Sequence, residues 1–190
     1  MHNLTIREAQ PDDLTTLVEI INQSYRAGGQ RSWTSEQGLV QGQRIGFDQL
    51  KQLFYKSNVT LLVGEIFTAS QHSPVTVACL ALSSNKDRIE IGTYCVAPAY
   101  QNLGLGRQVL SLAEAYALQK YPNLKFFEMY VLDVRTELIA FYLRAGYIKS
   151  GHTEPYPVDA DVGVPCVPIE LIHLYKSNLN YPPSLSRVDK

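Results

Sequence analysis

The sequence predicts a mixed α/β domain in which strands and helices alternate along one chain. Short apolar runs with strand composition recur between segments whose apolar residues follow helical spacing. A length of 190 residues suits one domain with a full core. Hydrophobic residues make up 45% of the chain and charged residues 18%, as in ordinary globular proteins. Strands with interposed helices favour a mixed sheet over a helical bundle or a β-sandwich.

The first third of the chain begins with a short strand at residues 4–7 and continues with helices. Proline is tolerated in the first helical turn, so Pro11 is predicted to start the first helix. A polar, glycine-rich segment spans residues 26–47, with one short helix expected near residues 32–37, and residues 48–56 return to a helical pattern. The apolar face of the first helix is predicted to contain Leu14, Leu17, Val18, Ile21 and Tyr25.

Strands dominate the remaining two thirds. They are predicted at residues 59–63, 75–82, 89–96, 126–132 and 169–174, and another begins at Tyr147. Two helices lie between them. The apolar stripe of the earlier one is expected at Val109, Leu112, Ala113 and Tyr116, and that of the later one at Leu138, Phe141, Tyr142 and Ala145. Because of its prolines, the segment 177–190 is predicted to be a mobile tail, which leaves residues 1–176 as the domain.

The stretch from Val96 to Arg107 carries the strongest functional signal. An apolar strand runs into a loop with the pattern Gln-x-x-Gly-x-Gly, and an amphipathic helix follows at once. Glycines let the backbone turn tightly and leave room for a ligand. The free N–H groups at the helix start carry the positive end of the helix dipole, which binds phosphate. The sequence therefore predicts a site for a phosphorylated cofactor.

Two common phosphate loops do not fit this stretch. A P-loop requires Lys and Ser or Thr after the last glycine, but Arg107 and Gln108 stand there. A dinucleotide-binding loop requires a third glycine at the position of Val109. The strand, the Val-x-Pro at residues 96–98 and the glycine loop instead resemble the cofactor motif of the GNAT family of N-acetyltransferases.

A second motif has the same resemblance. Residues 141–147, Phe-Tyr-Leu-Arg-Ala-Gly-Tyr, match the family pattern Phe-Tyr-x-x-x-Gly-Phe/Tyr. The resemblance covers roughly residues 4–175 and includes a small-molecule-type branch of the family. It implies a mainly antiparallel mixed sheet flanked by helices. It also implies a parallel strand pair, residues 89–96 and 126–132, that splays apart at the cofactor cleft.

The resemblance implies acetyl-coenzyme A as the cofactor. Backbone groups of Tyr94, Cys95 and Val96 are expected to pair with the pantetheine arm, and one N–H there to stabilise the oxyanion. The loop is expected to hold the pyrophosphate through residues Gln101, Asn102, Leu103, Gly104, Leu105, Gly106 and Arg107. Arg135 stands where the family commonly has an Asn. It either reaches a cofactor phosphate or faces solvent.

Two residues are candidates for proton transfer. By resemblance, Tyr142 lies near the cofactor sulfur and protonates the leaving thiolate; the alternative is a core tyrosine. Glu90 stands six residues before Val96, where one branch of the family has its base. The alternatives for Glu90 are an ion pair with Lys86 or Arg88, or a water chain as the base. A covalent route through Cys95 is conceivable but is not favoured, because the family mostly transfers directly.

The acceptor pocket is expected to involve Trp33, Glu36, Arg44 and Tyr156, with Arg44 suited to a carboxylate and Glu36 to an ammonium group. The alternative is that Trp33 and its neighbours only pack a lid. The predicted activity is acetyl transfer to an amine of a small molecule. A non-catalytic acyl-CoA-binding module on the same fold is the alternative, because the phosphate loop supports both equally.

Charge and cysteine usage limit the remaining classes. A net charge of −1 gives no reason to expect nucleic acid or an anionic membrane as a partner. No apolar run is long enough for a membrane span. Three scattered cysteines and no apolar leader favour a cytoplasmic protein. Since no cluster of His, Cys and Asp has ligand spacing, no metal is predicted. The sequence leaves both a monomer and a homodimer open.

Overall fold

The computed structural model describes residues 3–27, 35–67 and 73–178. The helices are α1 (Leu14–Asn22), α2 (Phe47–Phe54), α3 (Leu105–Lys120) and α4 (Thr136–Arg144), and a π-helical turn, Gln23–Ala27, continues α1. The strands are β1 (Asn3–Glu8), β2 (Val40–Gln41), β3 (Val59–Phe67), β4 (Val75–Asn85), β5 (Arg88–Val96), β6 (Phe126–Leu132), β7 (Ile148–Pro155), β8 (Val164–Pro165) and β9 (Glu170–Ser177).

Seven of these strands form one sheet in the order β1-β3-β4-β5-β6-β9-β7. Every neighbouring pair is antiparallel except β5 and β6, which run parallel. β2 and β8 pair separately as a short antiparallel ribbon. The predicted mixed, mainly antiparallel sheet is confirmed, since its strands occur at the predicted places.

Side chains alternate between the two faces of this sheet, and each face has its own core. On one face, α3 and α4 pack through residues such as Val109 and Tyr142 against β4, β5 and β6. On the other face, α1 and α2 pack through residues such as Leu17 and Leu50 against β3 and β4. The sheet centre is therefore covered on both sides, which explains the near-continuous apolar runs of β3 and β4.

Two local predictions were wrong. In the described part of the predicted short helix, residues 35–39 form a turn in which the Glu36 carbonyl accepts from the N–H groups of Leu39 and Val40, at 2.9 and 3.0 Å. The chain turns there because Val40 must pair with β8. In α3, Leu112 is exposed and Leu110 is buried. The phase of the helix is set by its start at Leu105, which places Leu105, Val109, Ala113 and Ala117 on the buried row.

The parallel pair separates after three residues. Register partners are limited to Arg88 with Phe126, Ile89 with Phe127 and Glu90 with Glu128. Beyond Glu90, β5 carries a bulge, where Thr93 takes a left-handed backbone conformation with φ of 49°. Bulges bend a strand and increase its twist. The C-terminal half of β5 therefore diverges from β6 and leaves a V-shaped gap, as the resemblance implies.

Most of the predicted C-terminal tail, from residue 179 onward, lies outside the described residues. Among the described residues, no helix combines the length and apolar character needed to cross a membrane.

Candidate functional site

A cavity of about 430 Å³, the large cavity, lies in the gap between the diverging strands. Its floor is formed by β5 and β6, and its walls are formed by the π-helical turn, the start of α4 and the end of β7. Among its lining residues are Tyr25, Glu36, Arg44, Glu90, Tyr94, Arg135, Tyr142, Glu154 and Tyr156. Most of the predicted catalytic and acceptor residues thus meet in one space.

Beyond the point where β5 and β6 separate, side chains donate the hydrogen bonds that the backbone of β6 does not make to β5. The Tyr94 carbonyl accepts from the Tyr25 hydroxyl at 3.0 Å. The Val96 carbonyl accepts from the Ser24 hydroxyl at 3.2 Å and from the Gln101 amide at 2.7 Å. Buried backbone groups need such partners, so the π-helical turn holds the end of β5 in place without closing the gap.

The glycine loop leads from this strand end to the start of α3. Asn102 and Gly104 adopt left-handed conformations, with φ of 62° and 73°, and α3 begins at Leu105. Leu103 and Gly104 are exposed, and a Cβ atom at Gly104 would meet nothing within 4 Å. The open backbone faces the positive end of a 16-residue helix. This arrangement can bind a phosphate or pyrophosphate group.

A narrow slot of about 80 Å³ lies between this loop and α4. It is lined by Tyr94, Cys95, Val96, Gln101, Asn102, Gly106, Leu138 and Phe141. Tyr94 and Leu138 also line the large cavity, so the slot and the cavity share a wall. An extended chain that enters at the loop can therefore follow β5 into the cavity.

Gly106 is required by close packing. The Tyr94 hydroxyl donates to the Gly106 carbonyl, and a Cβ atom on Gly106 would lie 3.3 Å from that hydroxyl oxygen. The first turn of α3 is thus fixed against β5. The Arg107 guanidinium donates to the Arg144 carbonyl at 3.1 Å, which places its charge beside the end of α4 rather than over the loop.

Tyr142 is buried, with 5% of its surface exposed, and it lines the large cavity. Burial raises the pKa of its hydroxyl above the usual value, while the charge of Arg135 acts in the opposite direction. Among the described residues, no group accepts a hydrogen bond from this hydroxyl. The side chain is therefore held as a protonated phenol that can donate to a group bound in the cavity.

Glu90 lines the same cavity from β5, and the residue is exposed to solvent. Partial desolvation in the cleft raises the pKa of its carboxyl group, with a further contribution from the negative charges of Glu128 and Glu154. Arg88 pairs with Glu128. Within the described ranges, Glu90 has no ion-pair partner, so its carboxylate is available to accept a proton.

Cys95 lines the slot, but its thiol is buried. Its side chain is buried in the core beneath α1, and burial raises the pKa of the thiol to about 12. A thiol with this pKa stays protonated near neutral pH and is a poor nucleophile. The geometry thus disfavours a covalent route through Cys95.

The predicted acceptor residues differ in how they are held. Glu36 is buried and forms an ion pair with Arg26. Arg44 lies over the Tyr25 ring, with its guanidinium carbon 5.2 Å from the ring centroid. Tyr156 donates to the Val162 carbonyl at 2.9 Å. Arg135 lines the large cavity and donates to the Ser35 carbonyl, whereas Trp33 lies outside the described residues.

Sequence reasoning missed several residues that build this site. Tyr25 had the helical spacing of a core residue, and Arg26 began a segment without clear periodicity. Tyr130 and Glu154 line the cavity from strands β6 and β7. The alternation of Glu128 and Tyr130 with buried Phe127 and Met129 was the available signal, because it places polar groups on one face of β6.

Arg26 and Gly163 fasten the outer wall of the cavity. The Arg26 guanidinium pairs with Glu36 and donates to the carbonyls of Gly42 at 2.8 Å and Val162 at 2.6 Å. Gly163 packs beside it, with φ of 103°. A Cβ atom there would lie 2.6 Å from the Gln41 carbonyl oxygen and 2.9 Å from Arg26.

Substitution of Gly163→Ala is therefore expected to destabilise the protein by about 3 kcal/mol, because both overpacking and left-handed strain contribute. Urea unfolding measures this change. Gly151 has φ of 86° and open space around its Cβ position, so Gly151→Ala is the matched control. This control should lose only the free energy of the left-handed backbone strain, about 1–2 kcal/mol. Equal losses of unfolding free energy in both variants would show that the close contacts at Gly163 do not contribute to the destabilisation.

A metal site has no support in the described part of the chain. In residues 3–27, 35–67 and 73–178, no group of three or more His, Cys, Asp or Glu side chains is arranged to hold an ion.

Comparisons with known proteins agree with this geometry. The solved structure of spermidine N-acetyltransferase from Vibrio cholerae, in complex with CoA and spermine, matches with a TM-score of 0.66 and 17% identity, over 92% of this chain and 95% of that chain. The ribosomal-protein-S18-alanine N-acetyltransferase from Escherichia coli matches with a TM-score of 0.65 and 15% identity, over 92% and 93%. These likenesses show the fold. No curated protein sequence matches significantly.

A family model gives the assignment. The model of the acetyltransferase (GNAT) family matches residues 17–147, which include the glycine loop, both diverging strands and α4. This match covers more than half of the chain, and the parallel pair that separates beside the helix start is in place. The chain belongs to the acetyltransferase (GNAT) family.

Proposed function

We propose that this protein transfers the acetyl group of acetyl-CoA to an amine of a small molecule by direct attack. One observation carries the proposal: the slot beside the glycine loop shares a wall with a cavity that holds Tyr142 and Glu90. The similar Vibrio cholerae enzyme is named as a spermidine N-acetyltransferase and was solved with CoA and spermine, which supports an amine acceptor and this cofactor.

The chain offers a place for each part of the cofactor. The N–H groups from Leu103 to Arg107 would bind the pyrophosphate at the start of α3. The pantetheine arm would lie in the slot against the backbone of Tyr94, Cys95 and Val96, beside Gln101 and Asn102. The thioester would then project into the large cavity. Arg135 lines that cavity and so would act on the acceptor side rather than on the pyrophosphate.

The reaction forms one C–N bond and breaks one C–S bond. The neutral amine nitrogen attacks the thioester carbonyl, and its proton passes to Glu90, directly or through water. As the tetrahedral intermediate collapses, the C–S bond breaks and the Tyr142 hydroxyl protonates the thiolate. Much of the rate would come from holding the amine against the carbonyl. A backbone N–H of the bulged part of β5 would stabilise the oxyanion.

Calorimetric titration with acetyl-CoA, followed by thiol release against a panel of amines, tests the proposal. Binding together with thiol release that depends on an amine is the expected result. Binding with no turnover on any amine would instead favour a non-catalytic acyl-CoA-binding module. Absence of binding would overturn both functions.

The pH profile tests Glu90. A base must be ionised to accept a proton, so activity should fall as the pH drops through the Glu90 pKa, which desolvation and nearby carboxylates raise. Glu128→Gln removes one of those charges and leaves Arg88 nearby, so the acid limb of kcat/KM should move to lower pH. Glu90→Gln should lower kcat by about 100-fold. An acid limb that stays fixed in Glu128→Gln would exclude Glu90 as its source.

A further inference from the structure

The charges in the large cavity are separated into two ends. Arg44 and Arg135 lie at the end beside the π-helical turn and the start of α4. Glu90 on β5 and Glu154 on β7 line the same cavity, and Glu128 on β6 is the register partner of Glu90. An acceptor would therefore experience opposite charges at its two ends.

The positive end keeps its charge. Glu36 is the carboxylate in this wall, but Arg26 neutralises it in a buried ion pair. Arg44 is half-buried and lies on the Tyr25 ring. Among the described residues no carboxylate pairs with Arg44, and residues 28–34 contain no Asp or Glu. A half-buried guanidinium that faces a cavity suits a carboxylate, which it can bind with two parallel hydrogen bonds.

At the negative end, Glu90 and Glu154 have no lysine or arginine partner among the described residues. Glu128 is balanced by Arg88, and His173 lies 3.5 Å from Glu128. Glu154 contacts His152 at 3.3 Å, an ion pair only when that histidine is protonated. Glu90 has no cationic partner among the described residues. This end therefore favours an ammonium group beside the proposed base.

A polyamine fits this pattern poorly. Spermine, which the similar Vibrio cholerae structure contains, carries only positive groups at neutral pH. A polyamine that spans the cavity would place one of its ends beside Arg44 and Arg135, with like charges in a partly desolvated space. Like charges that have lost part of their hydration repel each other more strongly than they do in water.

We propose that the acceptor is an amino acid or a similar zwitterion, whose carboxylate binds Arg44 and Arg135 while its amine lies near Glu90. This assignment rests on the proposed acetyltransferase function and specifies its substrate class. Glu36 was predicted to bind the ammonium group of the acceptor, but it is already paired with Arg26. Glu90 and Glu154 take this role in the proposal. Arg44 then becomes a residue that determines specificity.

Matched amines test the assignment. Ornithine and lysine are compared with putrescine and cadaverine, which lack only the carboxylate, and each amino acid is compared with its carboxamide. The expected result is a kcat/KM at least 10-fold higher for the carboxylates. In Arg44→Gln this preference should fall close to one, while acetyl-CoA affinity stays unchanged. Arg144→Gln removes an exposed arginine outside the cavity and should keep the preference.

Two results would overturn the assignment. One is equal or faster acetylation of putrescine or spermidine; the other is an equal loss for carboxylates and diamines in Arg44→Gln. Calorimetry of N-acetylornithine and N-acetylputrescine with the CoA-loaded protein gives an answer even without turnover. If the acetylated amino acid does not bind more tightly, the assignment fails. Failure of acetyl-CoA itself to bind would instead overturn the proposed function, so the two failures can be distinguished.

Discussion

Gly104→Glu is expected to weaken acetyl-CoA binding by at least about 100-fold. Gly104 caps α3 with φ of 73°, in the exposed loop before the helix start. A glutamate there places a carboxylate where the pyrophosphate is proposed to bind. Unit charges 4 Å apart at an effective dielectric constant near 20 repel by about 4 kcal/mol, which exceeds the roughly 2.8 kcal/mol that a 100-fold change requires. Calorimetric titration of the folded variant measures the loss directly.

The control for this experiment is Gly151→Glu. Gly151 in β7 has φ of 86°, and a Cβ atom there would also meet nothing within 4 Å. The control therefore adds the same charge and nearly the same backbone strain at a site away from the loop. It should bind acetyl-CoA as the unchanged protein does. If Gly104→Glu bound the cofactor as tightly as this control, the loop would not hold the pyrophosphate.

Tyr142→Phe is expected to lower kcat by about 10- to 100-fold and to leave the acetyl-CoA dissociation constant unchanged. The effect is limited because a thiol with a pKa near 8.5 is already a fair leaving group. The ring fills the same volume, and the Tyr142 hydroxyl has no hydrogen-bond acceptor among the described residues. Stability should therefore change little. Initial rates of thiol release and calorimetry together provide both quantities.

Tyr147 offers a matched control for Tyr142. Its ring lies 6.0 Å from that of Tyr142 and is also buried, but its hydroxyl donates to Glu114 at 2.8 Å. Tyr147→Phe should lower stability by about 1 kcal/mol and keep kcat. If Tyr142→Phe turned over as fast as Tyr147→Phe at every pH, Tyr142 would not be the acid.

Local patterns in the sequence predicted the elements around the proposed cofactor site well. The glycine loop, the strand before it and the helix after it are contiguous, so spacing alone placed them. The strand pair and its separation followed from the resemblance. In physical terms, helix starts, glycine turns and apolar strands depend mostly on near neighbours along the chain.

The acceptor half depends on contacts between distant segments. Residue 26 meets residues 36, 42 and 162, and Val40 pairs with Pro165. No local periodicity reports such pairings, which explains why the helix predicted near residues 32–37 is wrong in its described part, from residue 35 onward. The ion pair of Glu36 with Arg26 was hidden for the same reason, so the sequence assigned Glu36 to the acceptor.

The π-helical turn joins the proposed cofactor site and the proposed acceptor site through three consecutive residues. Ser24 and Tyr25 hold the carbonyls of Val96 and Tyr94, while Arg26 holds the outer wall. A cofactor bound as proposed would fix the end of β5 and so restrain this turn, and the walls of the proposed acceptor site would then have less conformational entropy left to lose. Because such coupling is reciprocal, each substrate favours the other's binding. The turn is thereby expected to make the binding of acetyl-CoA and the binding of the amine mutually cooperative, whichever binds first.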